Sequence, residues 1–192
     1  YNYHYDDNNL LRLVEHARFD KDQNEIIDRA YYISYNNKRQ IVRVQADKYT
    51  WSTASYKGNL LHKIYHHRNN WSDTTVNVNE FIYRDGKPVE IRDEDGNLLA
   101  TMQWKGGNIA SLVGYGRPRI SRQDRYHDDK PNWKKPLLYR LFRYECEPRD
   151  LLALNENNVI SENHNVENPP HWSNSNFTYN SKGCIVNIYG RK

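Results

Sequence analysis

Several features are scarce in this sequence. It has two cysteines and one methionine among 192 residues, and no stretch approaches the roughly 18 apolar residues of a membrane-spanning helix. Cys146 and Cys184 are too few for a disulfide scaffold and lack the spacing of metal ligands, so one bridge or two thiols are both open. No G-x-S-x-G elbow marks a nucleophile. The sequence therefore carries no signature of an enzyme, a cofactor or a disulfide-rich fold.

Aromatic residues, in contrast, are abundant. The chain has 16 Tyr and 5 Trp, while its mean hydropathy is −1.05. This combination indicates a thin, aromatic-rich core beneath a large polar surface, which favours a curved sheet over a thick α/β sandwich. The length suits one domain, or at most two small ones, and we predict a single domain over residues 1–192.

The clearest pattern lies in residues 81–113. Apolar and polar residues alternate in short runs, as in Leu98, Ala100 and Met102, which places one set on a buried face. Asp85-Gly86, Asp95-Gly96-Asn97 and Gly106-Gly107-Asn108 separate the runs, and such residues favour hairpin turns. We predict a mainly β fold built as an antiparallel meander, with a curved or barrel-like sheet.

The same pattern recurs along the chain. An aromatic residue followed by a polar turn and an alternating apolar run defines each hairpin, and most repeats are 21 to 30 residues apart. That spacing suits two strands with their turns. The last aromatic residues before the turns are Tyr5, Tyr35, Tyr56, Tyr83, Trp104 and Tyr179.

One insertion, residues 114–156, interrupts the array. Its first part has no apolar period, so we predict a long loop. Pro136 then opens a run with helical spacing, since proline suits a first helical turn, and Pro148 divides this run into two short helices. We predict a helical insertion over residues 136–154 that covers one end of the sheet, with Leu137, Leu141 and Phe142 packing on the core.

The hairpin motifs resemble YD or Rhs-type repeats, and the whole chain resembles the uncharacterised Bacteroides-type lipoproteins with a porin-like fold. That resemblance implies an exported protein, anchored to the outer membrane by a lipid on a cysteine upstream of Tyr1. It brings no catalytic residues. The stretches that carry it are residues 56–60, 80–86, 104–109, 136–139 and 177–183.

Two groups of side chains are candidates for sites. His62, His66 and His67 cluster, but no further ligand completes a metal site beside them, and we predict no metal. Four tryptophans lie in polar, loop-like surroundings rather than inside alternating strands. An exposed indole there suits sugar stacking or a protein interface, or else caps the ends of the sheet. The four are Trp51, Trp71, Trp133 and Trp172.

The basic excess lies in residues 117–150, where ten Lys and Arg face six Asp and Glu and so account for the whole net charge of +4. Asp124, Asp128 and Asp129 interrupt this run, which argues against a nucleic-acid partner. We predict that the insertion places a basic, aromatic rim at one end of the sheet. The candidate ligand-binding residues are Arg117, Arg119, Tyr126 and Trp133.

For function, we expect a monomeric, non-enzymatic binding or scaffolding protein of the cell envelope. Its ligand would be a glycan or another envelope protein, and it would touch a membrane only through the upstream lipid anchor. The alternative is a hydrolase acting on an extracellular polymer. A cleft with two facing carboxylates of perturbed pKa would favour the hydrolase, whereas an open aromatic platform without them would favour binding.

Overall fold

A computed structural model gives the fold, and it describes residues 2–70, 73–115, 121–131, 135–142, 148–164, 171–179 and 185–191. These residues form fourteen strands in one sheet whose hydrogen-bonded order follows the chain. Every strand pairing with a described register is antiparallel. The order runs from β1 to β14 without returning to β1. The predicted antiparallel meander is confirmed.

The strands and helices have the following bounds. They are β1 (Asn2–Tyr5), β2 (Leu11–Phe19), β3 (Glu25–Tyr35), β4 (Ile41–Gln45), β5 (Thr50–Lys57), β6 (Leu60–Asn70), β7 (Asp73–Arg84), β8 (Lys87–Arg92), β9 (Leu98–Lys105), β10 (Asn108–Gly114), β11 (Ser121–Pro131), the 3₁₀ helices η1 (Lys135–Phe142) and η2 (Pro148–Leu154), β12 (Asn157–His164), β13 (His171–Tyr179) and β14 (Ile185–Arg191).

The five-residue hairpin loops share one construction. In each loop, a side-chain oxygen of the first residue accepts hydrogen bonds from the backbone amides of the residues two and four positions later. The fourth residue has a positive φ, between 57° and 81°. A short Asp or Asn side chain is suited to this local bonding. The loops begin at Asp6, Asp20, Asn36 and Asp93.

The chain divides into two compact units. Unit 1 comprises Tyr1–Asn79 and Tyr139–Cys146, and unit 2 comprises Glu80–Leu138 and Glu147–Lys192. In unit 1 the end of η1 packs on the sheet, with Leu141 and Phe142 buried. The Tyr139 ring lies 5.7 Å from the Tyr31 ring. The predicted packing of Leu141 and Phe142 is therefore confirmed, whereas the side chain of Leu137 lies outside the described ones.

In unit 2 the second helix lies against β10, with Leu151 and Ala153 buried. Asn155 follows η2 and is fully buried. Its Oδ1 accepts the backbone amide of Ile109 at 2.7 Å, and its Nδ2 lies 3.1 Å from His127 Nε2. The pairing of β9 with β10 shifts register between Ile109 and Ser111. Asn155 thus satisfies a buried donor beside a β-bulge.

The predicted helical insertion is confirmed in place, as two 3₁₀ segments, and Pro148 begins the second. The predicted loop over residues 114–135 is wrong in its centre, because β11 occupies Ser121–Pro131. This strand pairs with both β10 and β12 through its backbone. Its buried Arg125 stands where an apolar residue would have signalled a strand, so alternation could not reveal it.

Candidate functional site

The candidate site lies at one end of the unit 1 sheet, where two short strands stand between two long ones. β3 and β6 have 11 residues each, whereas β4 has 5 and β5 has 8. Asp47 stabilises the turn between β4 and β5, because its carboxylate accepts hydrogen bonds from the backbone amides of Tyr49 and Thr50 at 2.6 and 2.7 Å. The amide of Asn69 in β6 donates to the Tyr49 carbonyl at 2.8 Å. This hydrogen bond holds the β4–β5 loop against β6, and the longer strand β3 extends beyond the loop.

A pocket of about 210 Å³ opens beside this loop. The strand register explains which side chains form the floor of the pocket. Val44 pairs with Ser52, and Thr50 pairs with Arg68. These are alternate positions on neighbouring strands, so their side chains share one face. Phe142 of η1 also lines the pocket. The polar side chains of the lining belong to Arg29, Tyr31, Asp47, Thr50, Ser52 and Arg68.

The charges of the pocket suit an anion. Two arginines and one carboxylate, Asp47, line it, so the site carries a net positive charge. Arg29 and Arg68 are both exposed, and Arg29 Nη1 lies 3.5 Å from the Tyr31 hydroxyl. A guanidinium presents a planar set of donors that matches carboxylate geometry. The arrangement can hold a small anionic group beside hydroxyl donors.

A serine and a histidine meet at the wall of the pocket. Ser52 Oγ lies 2.8 Å from His66 Nδ1, and Asn79 Nδ2 lies 3.0 Å from His66 Nε2. Ser52 is 1% exposed and His66 is 3% exposed. The pKa of His66 is lowered to about 4, first by burial and then by the charge of His67, while a hydrogen bond to the Phe142 backbone opposes both. His66 is therefore neutral at physiological pH.

This geometry is poorly suited to nucleophilic catalysis. Both ring nitrogens of His66 already have partners, with Ser52 at Nδ1 and Asn79 at Nε2. A base with a pKa near 4 is also weak at neutral pH. The contact is better explained as an anchor that ties η1 and β7 to the sheet.

Trp51 lies on the opposite face from Ser52, within β5 rather than in a loop. Its ring stacks on His67, with 5.0 Å between centroids and 6° between planes, and the Arg43 guanidinium lies 5.5 Å from its centroid. Arg43 and His67 come from the strands on either side of Trp51, and the tryptophan is half-buried. These contacts argue against sugar stacking at Trp51, which was one of the alternatives that the sequence left open. Trp71 and Trp133 lie outside the described residues, as does the Trp172 side chain.

The neighbouring histidines serve different faces. His66 bonds to Ser52, whereas His67 stacks on Trp51 and lies 3.1 Å from Thr53 Oγ1. Adjacent residues of a strand point to opposite faces, so these two rings cannot share one ion. Among the side chains that the structure describes, no three His, Cys, Asp or Glu residues come together as metal ligands.

Comparison with known proteins gives a fold and no more. No family model matches the chain, and no curated protein does. A solved porin-like protein from Bacteroides uniformis matches with a TM-score of 0.66 at 10% identity, over 98% of this chain and 79% of that one. The two chains share a fold. A TcdB2-TccC3 structure matches at 14% identity with a TM-score of 0.36, over 97% of this chain and 11% of that one.

The Bacteroides neighbour agrees with the porin-like fold that the sequence resemblance implied, while the Rhs-like character of the repeats stays a prediction. Over the described ranges, no helix has the length and apolar character needed to span a membrane.

The predicted basic rim falls mostly outside the described residues. Arg117, Arg119 and Trp133 are not among the described residues, so of the four rim residues only Tyr126 has a described position. It stands on β11 in unit 2 with 60% of its surface exposed. Whether these four residues form one site stays a prediction.

Sequence reasoning missed the pocket in unit 1. Its arginines are 39 positions apart in the chain, in segments that look like ordinary solvated strands. The usable signal was the shortness of the run between Ile41 and Lys57 beside two longer hairpin strands. Such a difference in strand length leaves a notch at a sheet end.

Proposed function

We propose that this chain is an exported, monomeric binding or scaffolding protein of the cell envelope, held at the outer membrane by a lipid anchor upstream of Tyr1. Its ligand is a glycan or another envelope protein, and the pocket in unit 1 is the binding site that the geometry supports best. The observation that carries this is that Arg29 and Arg68 both line a pocket of about 210 Å³ together with hydroxyl-bearing side chains. Drug-sized ligands occupy roughly 300–1,000 Å³, so this pocket takes one end group of a larger partner.

The test is a binding screen with matched arginine variants. The purified chain is applied to a glycan array and, separately, to immobilised envelope proteins. Arg29→Ala and Arg68→Ala should each weaken the recovered binding, and the loss should shrink at high salt because exposed charges are screened within ~8 Å at physiological ionic strength. Arg84→Ala serves as the control, because Arg84 is an exposed arginine on β7 in unit 2. Equal binding by all three variants would place the site elsewhere.

The predicted basic rim is the second binding candidate. Arg119→Ala and Trp133→Ala belong in the same screen, because Arg117, Arg119, Tyr126 and Trp133 combine positive charge with aromatic surface. Loss of binding in these variants, with Arg29→Ala unaffected, would move the proposed site from the pocket to the rim.

The alternative function is a hydrolase acting on an extracellular polymer, and one contact identifies the residue with which to test it. Ser52 Oγ and His66 Nδ1 are 2.8 Å apart at the wall of the pocket. The assay uses chromogenic esters and dyed polysaccharides, with Ser52→Ala as the diagnostic variant. Turnover that disappears in Ser52→Ala would support the hydrolase and overturn the non-enzymatic proposal.

The envelope location is tested with the full-length protein. Cell fractionation should recover it with the outer membrane, and radiolabelled palmitate should be incorporated. Recovery in the cytosol would overturn this part of the proposal.

A further inference from the structure

One edge of β3 is open where it passes the candidate pocket. Residues 25–27 and 29–32 pair with β2 on one side, with a register shift at Asp28, whereas β4 pairs only with Tyr32–Tyr35 on the other. In the described structure, residues 25–30 therefore have a strand neighbour on one side. An edge of this kind is a template for a further strand.

The open segment has the surface of a docking strand. Glu25 to Arg29 are all exposed, and two are large apolar residues, Ile26 at 37% and Ile27 at 43% exposure. Exposed charges on an edge usually prevent strand addition. Here Asp28 points its carboxylate to β2, with 2.6 Å to His16 Nδ1 and 3.8 Å to Arg18 Nε.

The pocket stands at the end of this edge. Arg29 and Tyr31 belong both to β3 and to the pocket lining, and the β4–β5 loop with Asp47 closes the path beyond them. A strand added along residues 25–30 would meet this loop and stop there. The terminal group of the added strand would face Arg29 and Arg68. Between them lies the small side chain of Ala46, which also lines the pocket.

We propose that the pocket captures the C-terminal carboxylate of an envelope protein whose last residues add to the β3 edge as a strand. This inference rests on the proposed binding function and names the class of ligand. The two arginines bind the terminal carboxylate, backbone hydrogen bonds to residues 25–30 supply affinity, and Ile26 and Ile27 contact alternate side chains of the added strand. Asp47 reduces the positive charge, and its carboxylate is already engaged with backbone amides.

The probe is a library of random heptapeptides displayed with free C termini and selected on the purified chain. Enriched sequences are synthesised with a carboxylate or a carboxamide end. Hydrogen bonds to a charged group predict that amidation weakens binding by about 10- to 100-fold. Arg29→Ala and Arg68→Ala should produce the same loss, Arg84→Ala should not, and circular dichroism shows whether each variant is folded.

Peptide N-methylation separates strand addition from simple charge attraction. Methylating backbone nitrogens one at a time should abolish binding at alternate positions only, because a strand presents alternate amides to its neighbour. A uniform effect, or none, would overturn the strand-addition inference without requiring any change to the protein.

The outcomes also separate this inference from the proposed function. A library without enrichment, or equal binding of carboxylate and carboxamide, overturns the C-terminal capture. Arginine-dependent binding of an acidic glycan in place of peptides overturns it too, while leaving the proposed binding function intact. Hydrolysis that depends on Ser52 overturns both.

Discussion

His66 should make the stability of the protein strongly dependent on pH. Its pKa is about 4 in the folded chain against 6.5 for an unperturbed histidine, mainly because it is buried. The folded pKa lies below the unfolded one, so the neutral ring contributes stability that is present above pH 6.5 and is lost as the pH falls towards 4. The full shift corresponds to about 3 kcal/mol. Between pH 7 and pH 5 the loss is about 2 kcal/mol.

The assay is urea unfolding of the wild type and of His66→Gln at pH 7 and pH 5. Glutamine does not titrate in this range, so the difference between the two pH dependences isolates His66 from the other histidines. The wild type should lose about 2 kcal/mol more than the variant between these pH values. Equal losses, or an NMR titration that gives His66 an ordinary pKa, would refute the reasoning.

Three further predictions concern other parts of the chain. Asn155→Ala should destabilise the protein by about 2 kcal/mol, because it leaves the buried Ile109 amide without its acceptor. Urea unfolding measures this loss of stability, and Asn155→Asp, which keeps an acceptor, should lose less. Gly86→Ala should cost about 1 kcal/mol, since Gly86 has a φ of 73°, and an unchanged urea midpoint would contradict that strain. Burial raises the pKa of Tyr83 to about 12, so an ultraviolet titration should show a tyrosine that stays protonated above pH 11, and complete ionisation by pH 11 would disprove the assignment.

Local chemistry made the hairpins predictable. Asp93 heads a five-residue loop because its carboxylate accepts two backbone amides, and Gly96 supplies the positive φ that the loop needs. The strands beside it alternate apolar and polar residues, so periodicity alone defined them. Pro136 and Pro148 likewise marked the two helical segments. These features depend on interactions between residues close in sequence, which a sequence displays directly.

The missed features depend on partners far away in the chain. β11 is a strand because β10 and β12 offer it backbone partners, and nothing in its own composition shows this. Trp51 was assigned to a loop because polar residues surround it, yet the covering of its ring by Arg43 and His67 comes from neighbouring strands. The amino-acid sequence shows whether a side chain is polar, but it does not show which side chains pack against it.

Local periodicity and turn chemistry are sufficient to predict the antiparallel meander, its turns and the position of the helical insertion. The location of a ligand-binding pocket, in contrast, depends on the folded arrangement of distant segments. The pocket is lined by Arg29 and Arg68, which belong to the strands on either side of two short ones, and by Phe142, which comes from a distant segment of the chain. Such proximity is set by register and packing, which act between residues that the chain keeps far apart.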